Sequence, residues 1–167
     1  SELKRVASFF TDPPYKESSK HNLNDYVDNK AFKQWLDRCT HPHKNKAYRS
    51  VTLSLKATHQ APGDATSEQM RLVADLADQY SFSEIRVSHE QNLILADVQE
   101  DDLFGLWEQA KSKNLATPNI GLLTDIICCP GGDFCSLANA KSIPIAESIQ
   151  EVFDDMDYLH DIGEIDL

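Results

Sequence analysis

Glu84-Ile85-Arg86-Val87-Ser88-His89-Glu90-Gln91-Asn92-Leu93-Ile94-Leu95-Ala96 carries two short apolar runs on either side of a polar turn. Successive side chains of a strand point to opposite faces, so Ile85 and Val87 share one face, and Arg86 and Ser88 the other. Leu93 to Ala96 is a second strand, joined to the first through His89-Glu90-Gln91-Asn92. Upstream, Ser50 to Lys56 alternates with Val51, Leu53 and Leu55 on one face, the pattern of a half-buried strand. Ala61-Pro62-Gly63-Asp64 makes a turn, and Thr66 followed by Gln69 is a capping box. Met70, Val73, Leu76, Ala77 and Tyr80 then recur at helical spacing. Downstream, a helix over 101–113 buries Leu103, Leu106, Trp107 and Ala110, with Lys111 and Lys113 at its basic end and Asn114 to stop it. Ile120 to Ile127 is a fourth apolar segment. The order is βαββαβ, which predicts an α+β fold built on the ferredoxin-like split motif.

The flanks are less regular. Residues 1–27 are polar, contain Pro13-Pro14 and Ser18-Ser19, and read as an extended arm. Asp28-Asn29 caps a short helix to Arg38 with Phe32, Trp35 and Leu36 on one side, and Thr40-His41-Pro42-His43 reads as the turn that ends it. After Cys135 a short helical stretch over 136–140 is expected. Pro144 then starts a helix that buries Ile145, Ile149, Val152, Phe153 and Met156. Ile162 to Leu167 alternates like the opening of a strand. Three units follow: an N-terminal arm with a helix (1–48), the ferredoxin-like half-domain (49–119), and the start of an α/β module (120–167).

Composition narrows the function. The chain of 167 residues is 41% hydrophobic and 26% charged, an ordinary globular balance. Its net charge of −11, from 27 acidic against 16 basic residues, disfavours nucleic acid as a partner. No apolar run approaches the roughly 20 residues of a membrane span. Four cysteines, unevenly placed, do not make a disulfide framework, and a reducing, cytoplasmic setting is expected.

Those cysteines are Cys39, Cys128, Cys129 and Cys135. In Cys129-Pro130-Gly131-Gly132-Asp133-Phe134-Cys135, two thiols flank a Gly-Pro turn whose backbone can curl around a bound metal or cluster. A helix starting at Cys135 would favour its thiolate. Two cysteines are half of a four-thiolate site, and the same pair also reads as two small buried apolar side chains. Cys39-Thr40-His41-Pro42-His43 has metal-capable groups without regular spacing. Arg86 on a sheet face can hold an anion bidentately, or stand on a solvated surface. No phosphate-cradling loop, serine elbow or His-Glu-x-x-His helix is present in the sequence.

Val51-Thr52-Leu53-Ser54-Leu55, Arg86 to Leu95, and Cys129 to Ala140 together resemble the siroheme-dependent assimilatory sulfite and nitrite reductases. The resemblance covers residues 28–167 and implies the second ferredoxin-like half plus the opening of the cluster-binding module, as a fragment of a longer polypeptide. It implies that Cys129 and Cys135 are the first cysteine pair of a 4Fe–4S cluster, with Cys128 a neighbour and a later pair lying elsewhere. It also implies that Gln91 reaches the siroheme pocket, with Thr52, Arg86, Ser88 and Asn92 as further candidates. The implied reaction is six-electron reduction of sulfite or nitrite. Electrons come from a ferredoxin or a flavoprotein subunit, and the rest of the polypeptide is a partner. The chain alone is then expected to be inactive and to retain neither cofactor. Two alternatives stand beside this: a stand-alone ferredoxin-like ligand-binding or oligomerisation module, and a thiol switch using Cys129 and Cys135.

Overall fold

The computed structural model describes residues 2–7, 12–17 and 28–165. Its helices are α1 (Glu2–Ala7), α2 (Lys30–Cys39), α3 (Ser67–Tyr80), α4 (Leu103–Lys111), α5 (Ile143–Val152) and α6 (Met156–Ile162). Its strands are β1 (Thr40–Pro42), β2 (Tyr48–Leu53), β3 (Arg86–Val87) and β4 (Leu93–Gln99). They form one antiparallel sheet in the order β1-β2-β4-β3. The α+β class holds, but the arm expected to be extended is helical over Glu2–Ala7, and the strand expected from Ile162 is replaced by the end of α6 with a lone bridge at Glu164; residues 1, 8–11, 18–27 and 166–167 lie outside the described residues.

Local sequence explains most elements. Thr66 Oγ1 accepts from Gln69 N at 3.1 Å while Gln69 Oε1 accepts from Thr66 N at 2.9 Å, which closes the capping box of α3. Asn29 Oδ1 accepts from Phe32 N at 3.0 Å and starts α2. Asn114 ends the α4 region in the left-handed conformation, with φ 57°, and Leu115 N returns to Ala110 O at 3.0 Å. Val51, Leu53, Leu93, Leu95 and Val98 of the sheet form one core with Phe32 and Trp35 of α2, Val73, Leu76 and Ala77 of α3, and Leu103, Leu106 and Ala110 of α4.

Leu95 and Val98 both reach that core because β4 is bulged. Arg49 pairs with Val98 and Val51 with Leu95, so Ala96 and Asp97 together oppose Ser50. The extra residue restores the alternation and places Ala96, Asp97 and Ser50 along one cleft outside the core. Tyr15 lies in the same cleft and donates to Asp97 Oδ1 at 2.6 Å.

The fourth strand is not where the periodicity placed it. Residues 120–127 form no strand; their one bridge is Leu122 to Glu164. Gly121 adopts φ 72°, and Leu122 N→Asn119 O (2.9 Å) and Asp125 N→Leu122 O (2.8 Å) curl the segment into turns. The sheet edge beside β2 is taken by Thr40–Pro42, the stretch expected to be a turn, which pairs Thr40 with Val51 and Pro42 with Arg49. A hairpin from the adjacent residues closes a shorter loop than a return from 120, and Pro42 is tolerated because β1 is an edge. The strand expected over 84–88 shrinks to Arg86–Val87, leaving Ile85 and Val87 exposed. Residues 136–140 form turns, not a helix. In α5 the buried side chains are Ala146 and Gln150, while Ile145 and Val152 face outward.

Leu95→Ala, at a fully buried position, is expected to cost about 2–5 kcal/mol. Val87→Thr, at a position 78% exposed, should stay within about 0.5 kcal/mol. Urea denaturation midpoints of the two variants check both.

Candidate cofactor-binding site at the hairpin and the cysteine loop

The turn between β3 and β4 is closed by Ser88. Its N–H donates to Asn92 O at 2.9 Å, and its Oγ accepts from Asn92 N at 3.2 Å. This rigid turn presents two amides in different directions. Asn92, 1% exposed, accepts from Leu55 N at 3.0 Å and donates to Asp125 Oδ1 at 2.9 Å. Gln91 stands in the left-handed region, with φ 58°, and points its amide at the cysteine segment. Gln91 Nε2 donates to Cys128 O at 2.9 Å, and Cys128 N donates to Gln91 Oε1 at 2.9 Å.

Beneath the turn lies a buried ion pair. The Lys56 amine has no exposed surface and donates to Asp125 Oδ1 at 3.1 Å and to Glu90 O at 2.8 Å. Asp125 Oδ2 also accepts from Gly121 N at 3.0 Å. Asn119, fully buried, accepts from Ser54 Oγ at 2.8 Å and donates to Lys56 O at 3.1 Å and to Thr124 Oγ1 at 3.2 Å. The stretch after β2, the turn and the 119–125 segment are thereby one polar unit. A cleft of about 410 Å³ opens beside it, lined by His89, Glu90, Gly121, Asp125 and the apolar Ile127 and Ile165.

The cysteine segment follows directly. Cys128 is buried, its thiol donates to Cys129 O at 3.4 Å, and burial, with Cys129 alongside, pushes that thiol up from its ordinary value. Cys129 and Cys135 are exposed free thiols. Between them, Cys135 N donates to Gly131 O at 2.8 Å and Gly132 N to Ala140 O at 2.7 Å, so residues 131–140 form a closed loop. Gly131 has φ 60°, and a Cβ there would stand 2.7 Å from Ala140 O, so only glycine lets the two backbones meet. With turns after Cys135, the helix dipole expected at that thiol is absent. Ile127, Phe134 and Leu137, near the pair in sequence, are also exposed.

Residues 41–113 match the family described as nitrite/sulfite reductase ferredoxin-like half domain. That stretch, the sheet with α3 and α4, is the part of the chain similar to the family. Curated relatives agree: a ferredoxin–nitrite reductase, chloroplastic, of Betula pendula is 29% identical over 126 residues, covering 71% of this chain and 21% of the relative. A ferredoxin–nitrite reductase of Synechococcus elongatus is 28% identical, covering 68% and 22%. An assimilatory ferredoxin-dependent nitrite reductase of Haloferax mediterranei is 40% identical over 81 residues, covering 47% and 13%. The chain spans about a fifth of the length of the first two.

The half domain divides the residues singled out in the sequence between two places. Gln91 and Asn92 meet the cysteine segment and the Lys56–Asp125 pair, and Ser88 closes the turn that holds them. Thr52 and Arg86 lie in one row across the sheet, each in register with Ile94. Thr52 is buried with its Oγ1 3.3 Å from His41 Nε2, and Arg86 donates to Glu84 at 2.5 Å on the rim of the Tyr15 cleft. The metal-capable groups near Cys39 are scattered. Cys39 is buried against Thr117 O, while His43 accepts from Asn45 N on Nδ1 and donates from Nε2 to Asp97 at 3.0 Å. Among the described residues, no group of three or more His, Cys, Asp or Glu is arranged to hold a metal ion. What fits a four-thiolate cluster is the exposed pair on its glycine turn, two soft donors of the four required.

Sequence reading missed Lys56, Asn119 and Asp125. Their signal was an amide and an acid, Asn119 and Asp125, bracketing an apolar run, since a carboxylate among apolar residues usually has a buried partner. Lys56→Met is expected to lower stability by about 3–5 kcal/mol, because Asp125 keeps its burial and loses its cation. Adding Asp125→Leu should recover only part of that loss in a double-mutant cycle, because Asn92 Nδ2 and Gly121 N then lose their acceptor. Gly131→Ala should cost about 1–2 kcal/mol and break the Gly132–Ala140 bond, seen as faster amide exchange at Gly132.

Proposed function

We propose that this chain is part of a siroheme- and 4Fe–4S-dependent assimilatory reductase whose substrate is nitrite and whose electron donor is a ferredoxin. The observation that carries the reading is the exposed Cys129–Cys135 pair on a glycine turn, whose preceding residue Cys128 is hydrogen-bonded to Gln91 in the stretch similar to the nitrite/sulfite reductase half domain. Nitrite is preferred to sulfite, and a ferredoxin to a flavoprotein subunit, because of the names the relatives carry.

In this reading residues 1–48 are an arm, 49–119 the half domain and 120–167 the opening of the cluster-binding module. Cys129 and Cys135 supply two thiolates to the cluster, and the remaining polypeptide supplies the other two. When bound, siroheme and the cluster would relay to nitrite, one at a time, the six electrons from reduced ferredoxin that together with protons yield ammonia. The chain's own share is positional. Ser88, Gln91 and Asn92 hold the turn that carries the cysteine segment, while Thr52 and Arg86 stand in a row across the sheet, with Arg86 able to pair with an anionic group of the siroheme once it leaves Glu84. The 167 residues alone hold half of a ligand set and are proposed to be inactive.

The test is the polypeptide encoded by the whole gene, purified without oxygen. It is expected to show heme and iron–sulfur absorption together and to consume nitrite with reduced ferredoxin. Cys129→Ser and Cys135→Ser should each abolish the iron–sulfur band. A full-length protein that purifies with neither band, or in which both serine variants keep the cluster, rejects the proposal.

A further inference from the structure

We propose that Gln91 is a positioning residue for Cys129: its side-chain amide clamps the Cys128 peptide and thereby sets where the neighbouring thiol stands. The inference rests on the reading of Cys129 as a cluster ligand, and assigns Gln91 a role other than direct contact with a cofactor. Both ends of the amide are engaged, Nε2 to Cys128 O and Oε1 to Cys128 N, each at 2.9 Å. Cys128 N and Cys128 O belong to the two peptide groups that flank its Cα, so the paired bonds fix both in orientation as well as distance, as a single bond does not.

The clamp is mounted firmly at its base. Gln91 is followed by Asn92, which is tied to Leu55 N and Asp125, and preceded by Glu90, whose carbonyl accepts from the buried Lys56 amine. Gly63 backs it from the other side: a Cβ at that position would stand 3.0 Å from Gln91 Cβ, so the Gly63 backbone lies against the Gln91 side chain and limits its rotamers. Gly63 is itself held by its N–H donating to Leu55 O at 3.0 Å. On the far side of the clamp the 131–140 loop is closed on itself. Cys128 is therefore the joint between two ordered bodies, and Cys129 is the first residue past it. Without the clamp, the loop stays closed but its attachment to the half domain loosens at that joint.

Native-state amide exchange on the reduced 167-residue chain reads this directly. Gln91→Ala is expected to raise exchange at Cys128 by roughly tenfold, the size of one net hydrogen bond. The Cys129 resonances should shift, while Val51 and Leu95 amides keep their protection. Gln91→Glu, which keeps the acceptor for Cys128 N–H and loses the donor, should fall between. In the full-length protein the same variants should alter the electron paramagnetic resonance signature and midpoint potential of the cluster, with iron content unchanged. Unaltered exchange at Cys128 in Gln91→Ala overturns the clamp, and so does an equal rise across β2 and β4, which would make Gln91 a general stabiliser. A full-length wild-type protein that never binds a cluster instead overturns the reading of Cys129 as a ligand, even where the exchange pattern is as expected.

Discussion

Burying the Lys56 amine removes its hydration at a cost of several kcal/mol, and the Asp125 carboxylate offsets that cost only if held within hydrogen-bond range. That requirement organises this protein. Asp125 sits in a segment that is apolar on either side, and Lys56 lies three residues beyond the end of β2. Bringing them to 3.1 Å brings the whole 119–125 stretch across the end of the sheet. Asn92, Asn119, Ser54 and the Gly121 amide then saturate the remaining donors and acceptors. A buried polar network is stabilising only when nearly every member is satisfied, so these residues move together or not at all.

The network explains why the apolar run after α4 does not become a strand. Its carboxylate and amides are committed to side chains and to the ends of β2 and β4, and its backbone turns to present them. The sheet position left open beside β2 is filled by Thr40–Pro42, the nearest segment in the chain. The sheet is thus four-stranded without residues 120–127, which stay free of it and carry Cys128 to the Gln91 amide. Cofactor chemistry of the proposed kind needs ligands held in place before the metal arrives, because each freely moving thiolate adds an ordering cost to binding.

Much of the frame was legible in residue patterns. The capping box of Thr66 and Gln69, the stripe of α3 and the stop at Asn114 all act within a few residues and the structure keeps them, whereas the half-buried strand expected over 50–56 ends at Leu53 and buries Thr52, Ser54 and Lys56 on its other side. The cysteine turn was equally visible, because a glycine pair flanked by thiols is a local signature. Lys56 was not legible. Alternation put it on the face opposite Leu55, where a lysine is ordinarily solvated, and nothing within a dozen residues indicates a carboxylate 69 positions away. Residues 136–140 failed for a related reason. Gly132 N bonds Ala140 O, and that closure takes the stretch out of helical geometry.

Short-range sterics and hydrophobic period are written into the chain, and they were enough for the α+β class, the helices with their caps, and the thiols that stand on a glycine turn. Long-range packing was needed for the rest: which segment completes the sheet, where Lys56 finds its anion, and that Gln91 grips Cys128. Each of those is a contact between residues far apart in the chain, chosen because a buried polar atom must meet a partner somewhere. Residue patterns state the requirement; the packed fold determines which partner meets it.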